Sequence, residues 1–75
     1  MIGDRARITD MVYSPQNHRV RIDLTGHPTA CLAKAHEVAQ SVLGDDSWLI
    51  KSIDGKHVGD LPSDFNMKVV AERRI

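Results

Sequence analysis

The stretch RVRIDL, residues 19–24, decides the fold because its side chains alternate strictly between charged and apolar. A period of two residues is typical of a strand with one face on a core and the other in solvent. The apolar side chains predict the core face: Val20, Ile22 and Leu24. The charged ones point away from it: Arg19, Arg21 and Asp23. The question for function is what the arginine side contacts.

The residues before this strand predict an antiparallel partner for it. Residues 5–13, RARITDMVY, are rich in β-branched and aromatic side chains and predict a strand whose register stays open. In the SPQNH segment that follows, Pro15 suits the position of a turn that needs a fixed φ, and Asn17 can adopt the left-handed conformation that closes the bend. Residues 5–24 therefore predict a β-hairpin.

The residues after the strand predict one amphipathic helix over 29–43. Thr29 is the expected N-cap, Pro28 lies just outside the start, and Gly44 is the expected left-handed stop. At 100° per residue the apolar side chains form one arc: Val38, Cys31, Val42, Ala35, Ala39, Leu32 and Leu43. The alanines in this arc imply that the helix approaches a sheet closely.

The remaining residues predict two or three strands. A strand through Trp48 and Ile53 ends at Asp54-Gly55, a strong hairpin signal, and a short return passes through Val58. Residues 59–65 predict a loop and residues 66–73 a last strand. The order β-β-α-β-β-β indicates a single α+β domain, residues 1–75, with one helix on an antiparallel sheet of four to five strands. We expect the helix to cover the face formed by Val20, Ile22, Leu24, Ile50 and Val69, and to leave the other face open.

Length and composition exclude several classes of protein. A chain of 75 residues with ten basic and ten acidic side chains has a formal charge of zero and is too small for a deep, water-excluded active site. The single cysteine, Cys31, cannot form an internal disulfide, which suits a reducing compartment. No segment approaches the roughly 20 apolar residues of a membrane span, and the start of the chain lacks a signal-peptide core. We therefore expect a cytoplasmic protein with no membrane partner.

The residues that could support catalysis or metal binding do not form a motif. Four histidines have spacings that match no short ligand motif: His18, His27, His36 and His57. Cys31 is expected in the core, where a thiol is inert, and Asp45-Asp46 is expected in a solvated turn. GDLPSD lacks the glycines and the lysine of a phosphate loop. The sequence predicts no enzyme, no catalytic residue, no metal and no cofactor.

The open face of the predicted sheet is the candidate partner-binding surface. Basic residues concentrate on the predicted strands: Arg5, Arg7, Arg19, Arg21, Lys51, Lys68 and Arg73. Acidic residues are expected in loops or at ends: Asp4, Asp45, Asp46, Asp54, Asp60 and Asp64. The proposed partner-binding residues are Arg7, Arg19, Arg21 and Lys51. If all four lie on the open face, that face is a basic platform, and antiparallel pairing could place Arg7 near the two arginines of RVRIDL.

Such a platform suits an acidic patch on a protein or the phosphates of a nucleic acid, although an ordinary solvated face is the alternative. Few aromatic rings are available to stack on bases, since Trp48 is expected in the core. A protein partner is therefore the first expectation and nucleic acid the second. The edge strands of the sheet could also pair two copies of the chain.

The order of elements resembles that of the small phage-encoded anti-CRISPR proteins, built from a hairpin, one alanine-rich helix and a β-meander. The stretches concerned are YSPQNHRVRIDL, PTACLAKAHEVAQSVLG and WLIKSIDGKHVGDLP. The resemblance is one of layout and transfers no functional residue. It implies a non-enzymatic inhibitor that docks on a subunit of a bacterial CRISPR surveillance complex and blocks DNA binding or nuclease recruitment. The neutral charge favours surface blocking over DNA mimicry.

Overall fold

The structure, a computed structural model, describes residues 6–74 and confirms the predicted class: one helix on an open antiparallel sheet. The strands are β1 (Ala6–Ser14), β2 (Arg19–Gly26), β3 (Trp48–His57) and β4 (Phe65–Arg73), and the helix is α1 (Pro28–Leu43). The described part of the chain contains four strands, so the extra strand through Val58 is absent from it. Arg5, where the first strand was predicted to begin, and Asp4 lie outside the described residues.

The sheet has the strand order β1-β2-β4-β3, and each neighbouring pair is antiparallel. Both β2 and β3 run opposite to β4, so they are parallel to each other, and α1 makes the crossover between them. The last strand then inserts between them. A linear sequence pattern does not predict this insertion, because it depends on which strands pair after the helix has crossed.

The core lies between α1 and the two central strands. The predicted core face of the sheet is confirmed: Val20, Ile22, Leu24 and Val69 are at most 1% exposed, and Ile50 is half-buried at the margin. On the helix, the buried positions follow an i, i+4 row through Cys31, Ala35, Ala39 and Leu43. Each large aliphatic side chain buried here contributes about 1.5–3 kcal/mol. The alanines let the helix backbone lie close to the sheet.

The helix stops as predicted but starts differently. Gly44 adopts the left-handed conformation (φ 90°), and its N–H donates to the carbonyl of Gln40. At the other end the N-cap is His27 rather than Thr29: its Nδ1 accepts a hydrogen bond from the N–H of Thr29 (3.2 Å), and Pro28 is the first helical residue. Proline suits that position because its missing N–H would have no helical partner there.

The first hairpin closes through a 3-10 turn at Pro15–Asn17. The left-handed residue is His18 (φ 50°) rather than the predicted Asn17. The N–H of His18 donates to the carbonyl of Pro15 (3.2 Å), and its own carbonyl accepts from the N–H of Arg73 (2.8 Å). The turn is therefore attached to the end of β4 as well as to the strand that follows it.

The predicted Asp54-Gly55 hairpin is wrong, because both residues lie inside β3. The ring of Phe65 covers Gly55 so closely that a Cβ there would be 2.5 Å from the ring. Glycine here allows the close approach of an aromatic ring and does not mark a bend. The chain reverses after β3 instead, where Val58 N–H donates to the Asp64 carbonyl (2.7 Å) and Asp64 N–H to that of Leu61 (2.9 Å).

Candidate functional site

The open face of the sheet, opposite α1, is ordered in four rows that cross β1, β2, β4 and β3 in turn. Directly opposed residues define the rows: Ser14–Arg19–Glu72–Leu49, Val12–Arg21–Val70–Ser52, Asp10–Asp23–Lys68–Asp54 and Arg7–Thr25–Asn66–Lys56. Each strand contributes one side chain to each row because alternate residues face the same side. Lys51 occupies the irregularity between Ile50 and Ser52, and its ammonium reaches the open face at Glu72.

The four predicted binding residues share this face but do not form one cluster. Arg19 and Arg21 stand two residues apart on β2, in neighbouring rows. Arg7 lies opposite Thr25, four residues along β2 from Arg21 and thus about 14 Å away along the strand. The expectation that Arg7 lies near the other two arginines is wrong, because the antiparallel register of the hairpin pairs the start of β1, where Arg7 lies, with the end of β2.

Carboxylates neutralise the central cations of the face. Arg21 lies 3.3 Å from Asp10 and 3.8 Å from Asp23, measured between nitrogen and oxygen. Glu72 lies 3.7 Å from both Arg19 and Lys51. The rows and the bulge together hold six basic and four acidic side chains, a formal charge of +2. The face is therefore a mixed-charge surface and not the predicted basic platform.

Arg21 is the centre of this arrangement, because Asp10 and Asp23 are directly opposed on neighbouring strands. Like charges in such a position destabilise a sheet unless a cation lies between them. The Nε of Arg21 and the Oδ1 of Asp23 are shielded from solvent and have no hydrogen-bond partner within residues 6–74. Sequence reasoning placed Asp23 on this face but passed over Asp10 and assigned Asp54 to a turn.

A shallow depression of about 560 Å³ lies at the Arg7 end of the face. Its polar lining includes two carboxylates and two ammonium groups: Asp23, Asp54, Lys56 and Lys68. Beside them the hydroxyl of Thr25 donates to the Asn66 side-chain carbonyl (2.7 Å). The opposite half of the face has a different character: Val12 is exposed directly opposite Arg21, and Leu49 is exposed on β3, where Glu72 separates it from Arg19.

Two of the loop carboxylates, Asp45 and Asp64, take part in structural contacts. Asp45 accepts hydrogen bonds from the hydroxyl and the N–H of Ser47, which lower the pKa of its carboxyl, with a smaller contribution from Arg73. Asp64 accepts from the N–H of Leu61 (3.2 Å) within its turn. Arg73 itself points to the helix side of the sheet, so it is not part of the open face.

The histidines and the cysteine have structural surroundings. His36 packs against Trp48 with ring centroids 5.2 Å apart, and His57 meets Phe65 at 5.1 Å. Cys31 is fully buried, and desolvation raises the pKa of its thiol. Within residues 6–74 no three His, Cys, Asp or Glu side chains are placed to share a metal ion. Over the same residues, no helix has the length and apolar character of a bilayer span.

The chain has no match among known protein families, and no curated protein or solved structure is significantly similar to it. The geometry of the open face is therefore the feature of the molecule that bears on its function.

Proposed function

We propose that the chain is a non-enzymatic binding module whose open face docks on another protein. One observation supports this most strongly: Arg19, Arg21 and Lys51 each have a carboxylate within 4 Å. A surface for the phosphate backbone needs cations that are not already neutralised. A mixed pattern of charges instead selects a complementary protein surface and fixes its register.

The half of the face around Arg19 and Arg21 is the proposed centre of contact. Val12 and Leu49 expose 45% and 39% of their surface there, and the buried Val70 lies between Arg21 and Ser52 in the same row as Val12. Arginine beside exposed apolar side chains is a composition enriched where protein interfaces are strongest. The polar depression at the other end of the face suits the rim of such an interface.

The resemblance in layout makes a subunit of a bacterial CRISPR surveillance complex the first partner to test, with the chain acting as a phage-encoded inhibitor in the bacterial cytoplasm. Nucleic acid is the second candidate. The observation that favours it is the row at the far end, where Arg7 and Lys56 have no carboxylate within 4 Å among residues 6–74.

The test is the double variant Arg19→Ala with Arg21→Ala, compared with the parent. We expect a stability change within about 1 kcal/mol, since exposed ion pairs contribute little. Affinity for the partner should fall tenfold or more, because the arginines border the exposed apolar residues. The partner is first captured from a nuclease-treated bacterial lysate, and its dissociation constant is then measured with purified components.

Two controls make the result specific. Lys34→Ala removes a cation from α1, on the opposite side of the sheet from the open face, where it lies 3.9 Å from Glu37, and should leave binding unchanged. Without Arg21, the carboxylates of Asp10 and Asp23 would repel each other across β1 and β2. Adding Asp10→Asn to the double variant removes this repulsion. If the triple variant also fails to bind, the repulsion is not the cause of the loss. A double variant that binds as tightly as the parent would move the interface to the loops around Asp45, Asp60 and Asp64.

A further inference from the structure

The geometry of β1 points to a second interaction surface: we propose that two copies of the chain pair antiparallel through their β1 edges and join their sheets into one. This surface is an edge of the sheet rather than its open face, and the two share Val12. The test uses the protein alone, so its failure leaves the proposed function untouched. A paired sheet would place two open faces side by side.

The β1 strand combines a free sheet edge with exposed apolar side chains. It is the first strand in the order of the sheet, and it has a neighbour on one side only within residues 6–74. Ile8, Met11, Val12 and Tyr13 each expose 37–45% of their surface. An edge of this kind presents unpaired backbone groups between apolar side chains, which makes it a template for another strand.

The opposite edge, β3, is protected in the ways that sheets commonly use. The later part of β3, residues 51–57, contains three charged residues, Lys51, Asp54 and Lys56, and the strand is irregular at Lys51. In contrast, the part of β1 from Ile8 to Ser14 contains one charged side chain, Asp10, and Arg21 of the same copy already neutralises it at 3.3 Å. Pairing over this part of β1 therefore leaves no unpaired charge at the centre of the joint, and Arg7 lies at its end.

The side chains of β1 match those of a second β1 in one register. With Met11 opposite Met11 of the other copy, and the irregular residue Thr9 left unpaired in each, Ile8 lies opposite the other copy's Tyr13 on the helix side. This row is entirely apolar, and a two-fold axis through its centre makes it self-complementary.

The charges on the open side are compatible with this register and exclude the one centred on Asp10. Centring the pair on Met11 places Asp10 opposite the other copy's Val12, and Arg7 opposite its Ser14. Centring it on Asp10 would oppose two carboxylates, which is unfavourable. The Met11 N–H now donates to Asp10 Oδ1 (2.9 Å), and pairing would exchange that bond for one to the other copy. The favourable free energy of dimer formation therefore comes from the burial of apolar side chains, since the exchange of one hydrogen bond for another contributes little.

The expected dimer is weak because the interface is one strand wide. A nine-residue strand is about 30 Å long, and its pairing buries less than the roughly 800 Å² per partner of a typical stable complex. We therefore expect association that is complete only at protein concentrations on the order of 0.1–1 mM.

Sedimentation velocity tests the proposal over protein concentrations from about 10 μM to about 1 mM, the range that a weak interface requires. The parent should shift towards the dimer with concentration, and Met11→Lys should remove the shift because it opposes two ammonium groups at the centre. Val12→Lys gives the same test on the open side, should the first variant fail to fold. Ile53→Lys is the matched control: Ile53 lies on the other edge strand and exposes 50% of its surface.

A parent that stays monomeric throughout, or an Ile53→Lys variant that loses the dimer equally, would overturn the proposal. If the parent is monomeric and Met11→Lys abolishes its binding to a partner protein, the β1 edge binds that partner and not a second copy, which would also overturn the proposal.

The register has its own test. Met11→Cys should form a cross-linked dimer under mild oxidation, and Tyr13→Cys should not; the native Cys31 is fully buried and does not interfere. Equal cross-linking of both variants would overturn the register.

Discussion

At the scale of single residues, Arg73 connects the end of the helix to the sheet. Its guanidinium donates to the carbonyl of Leu43 and to the hydroxyl of Ser47 (3.0 Å), and it lies 3.6 Å from Asp45. The last carbonyls of a helix have no intrahelical partner and carry partial negative charge, so a cation there satisfies both needs. The sequence pattern placed Arg73 on a strand but did not indicate this contact.

We expect Arg73→Ala to destabilise the chain by about 1–3 kcal/mol, because it leaves the helix end without a charged donor. Arg73→Lys should recover only part of this loss, since an ammonium cannot serve two acceptors in the geometry of the guanidinium fork. Urea unfolding followed by the fluorescence of Trp48, the single tryptophan, measures the change. The control is Arg74→Ala; an equal effect of the two substitutions would contradict this role.

The same contact has a dependence on pH. The pKa of Asp45 is lowered in the folded chain, chiefly by its hydrogen bonds from Ser47. The stability that it contributes is therefore present above its ordinary pKa and is lost as the pH falls through the lowered value.

At the scale of elements, α1 shows how an apolar arc divides into a buried centre and a half-buried flank. The arc was predicted to run continuously through Val38, but the structure buries Ala35 and Ala39 fully and leaves Val38 half-buried. A sheet surface is nearly flat, so only the narrow line of the helix nearest to it loses all solvent. Small side chains lie on that line because larger ones would push the helix away.

This division predicts unequal effects for one change at neighbouring positions. Ala39→Asp places an unpaired carboxylate between helix and sheet and should cost at least about 3 kcal/mol, enough to unfold a domain of this size. Val38→Asp can turn its carboxylate towards solvent and should cost less. Circular dichroism and thermal unfolding of both variants test this; a Val38→Asp variant less stable than Ala39→Asp would mean that the helix is rotated from the position described.

At the scale of the whole molecule, a formal charge of zero hides an ordered distribution. Across the open face, a row with three carboxylates and Lys68 separates the two central arginines from Arg7 and Lys56. Potentials of opposite sign therefore alternate over a few ångströms and largely cancel beyond the Debye length of about 8 Å in physiological salt. We therefore expect the proposed docking face to act on a partner at contact range and to exert little attraction on a polyanion at a distance.

We expect the affinity for the partner to change by less than about threefold between about 50 and 200 mM salt, because the pairs on this face are short-ranged. Four phosphate contacts through Arg7, Arg19, Arg21 and Lys51 would instead weaken binding by about a hundredfold over the same interval. Titrations at several salt concentrations distinguish the two. A steep dependence would replace the protein partner by nucleic acid.

The sequence by itself determined the class of fold, the extent of the helix and the face of β2 that is buried. These features follow from local periodicity, from the glycine that ends the helix and from the alternation at Val20, Ile22 and Leu24. Only the tertiary structure decided that β4 inserts between β2 and β3, that Gly55 lies under Phe65, and that carboxylates from three strands surround the arginines. The physical reason is that side-chain direction is a property of a single strand, whereas a side chain's neighbours across a sheet depend on strand order and register.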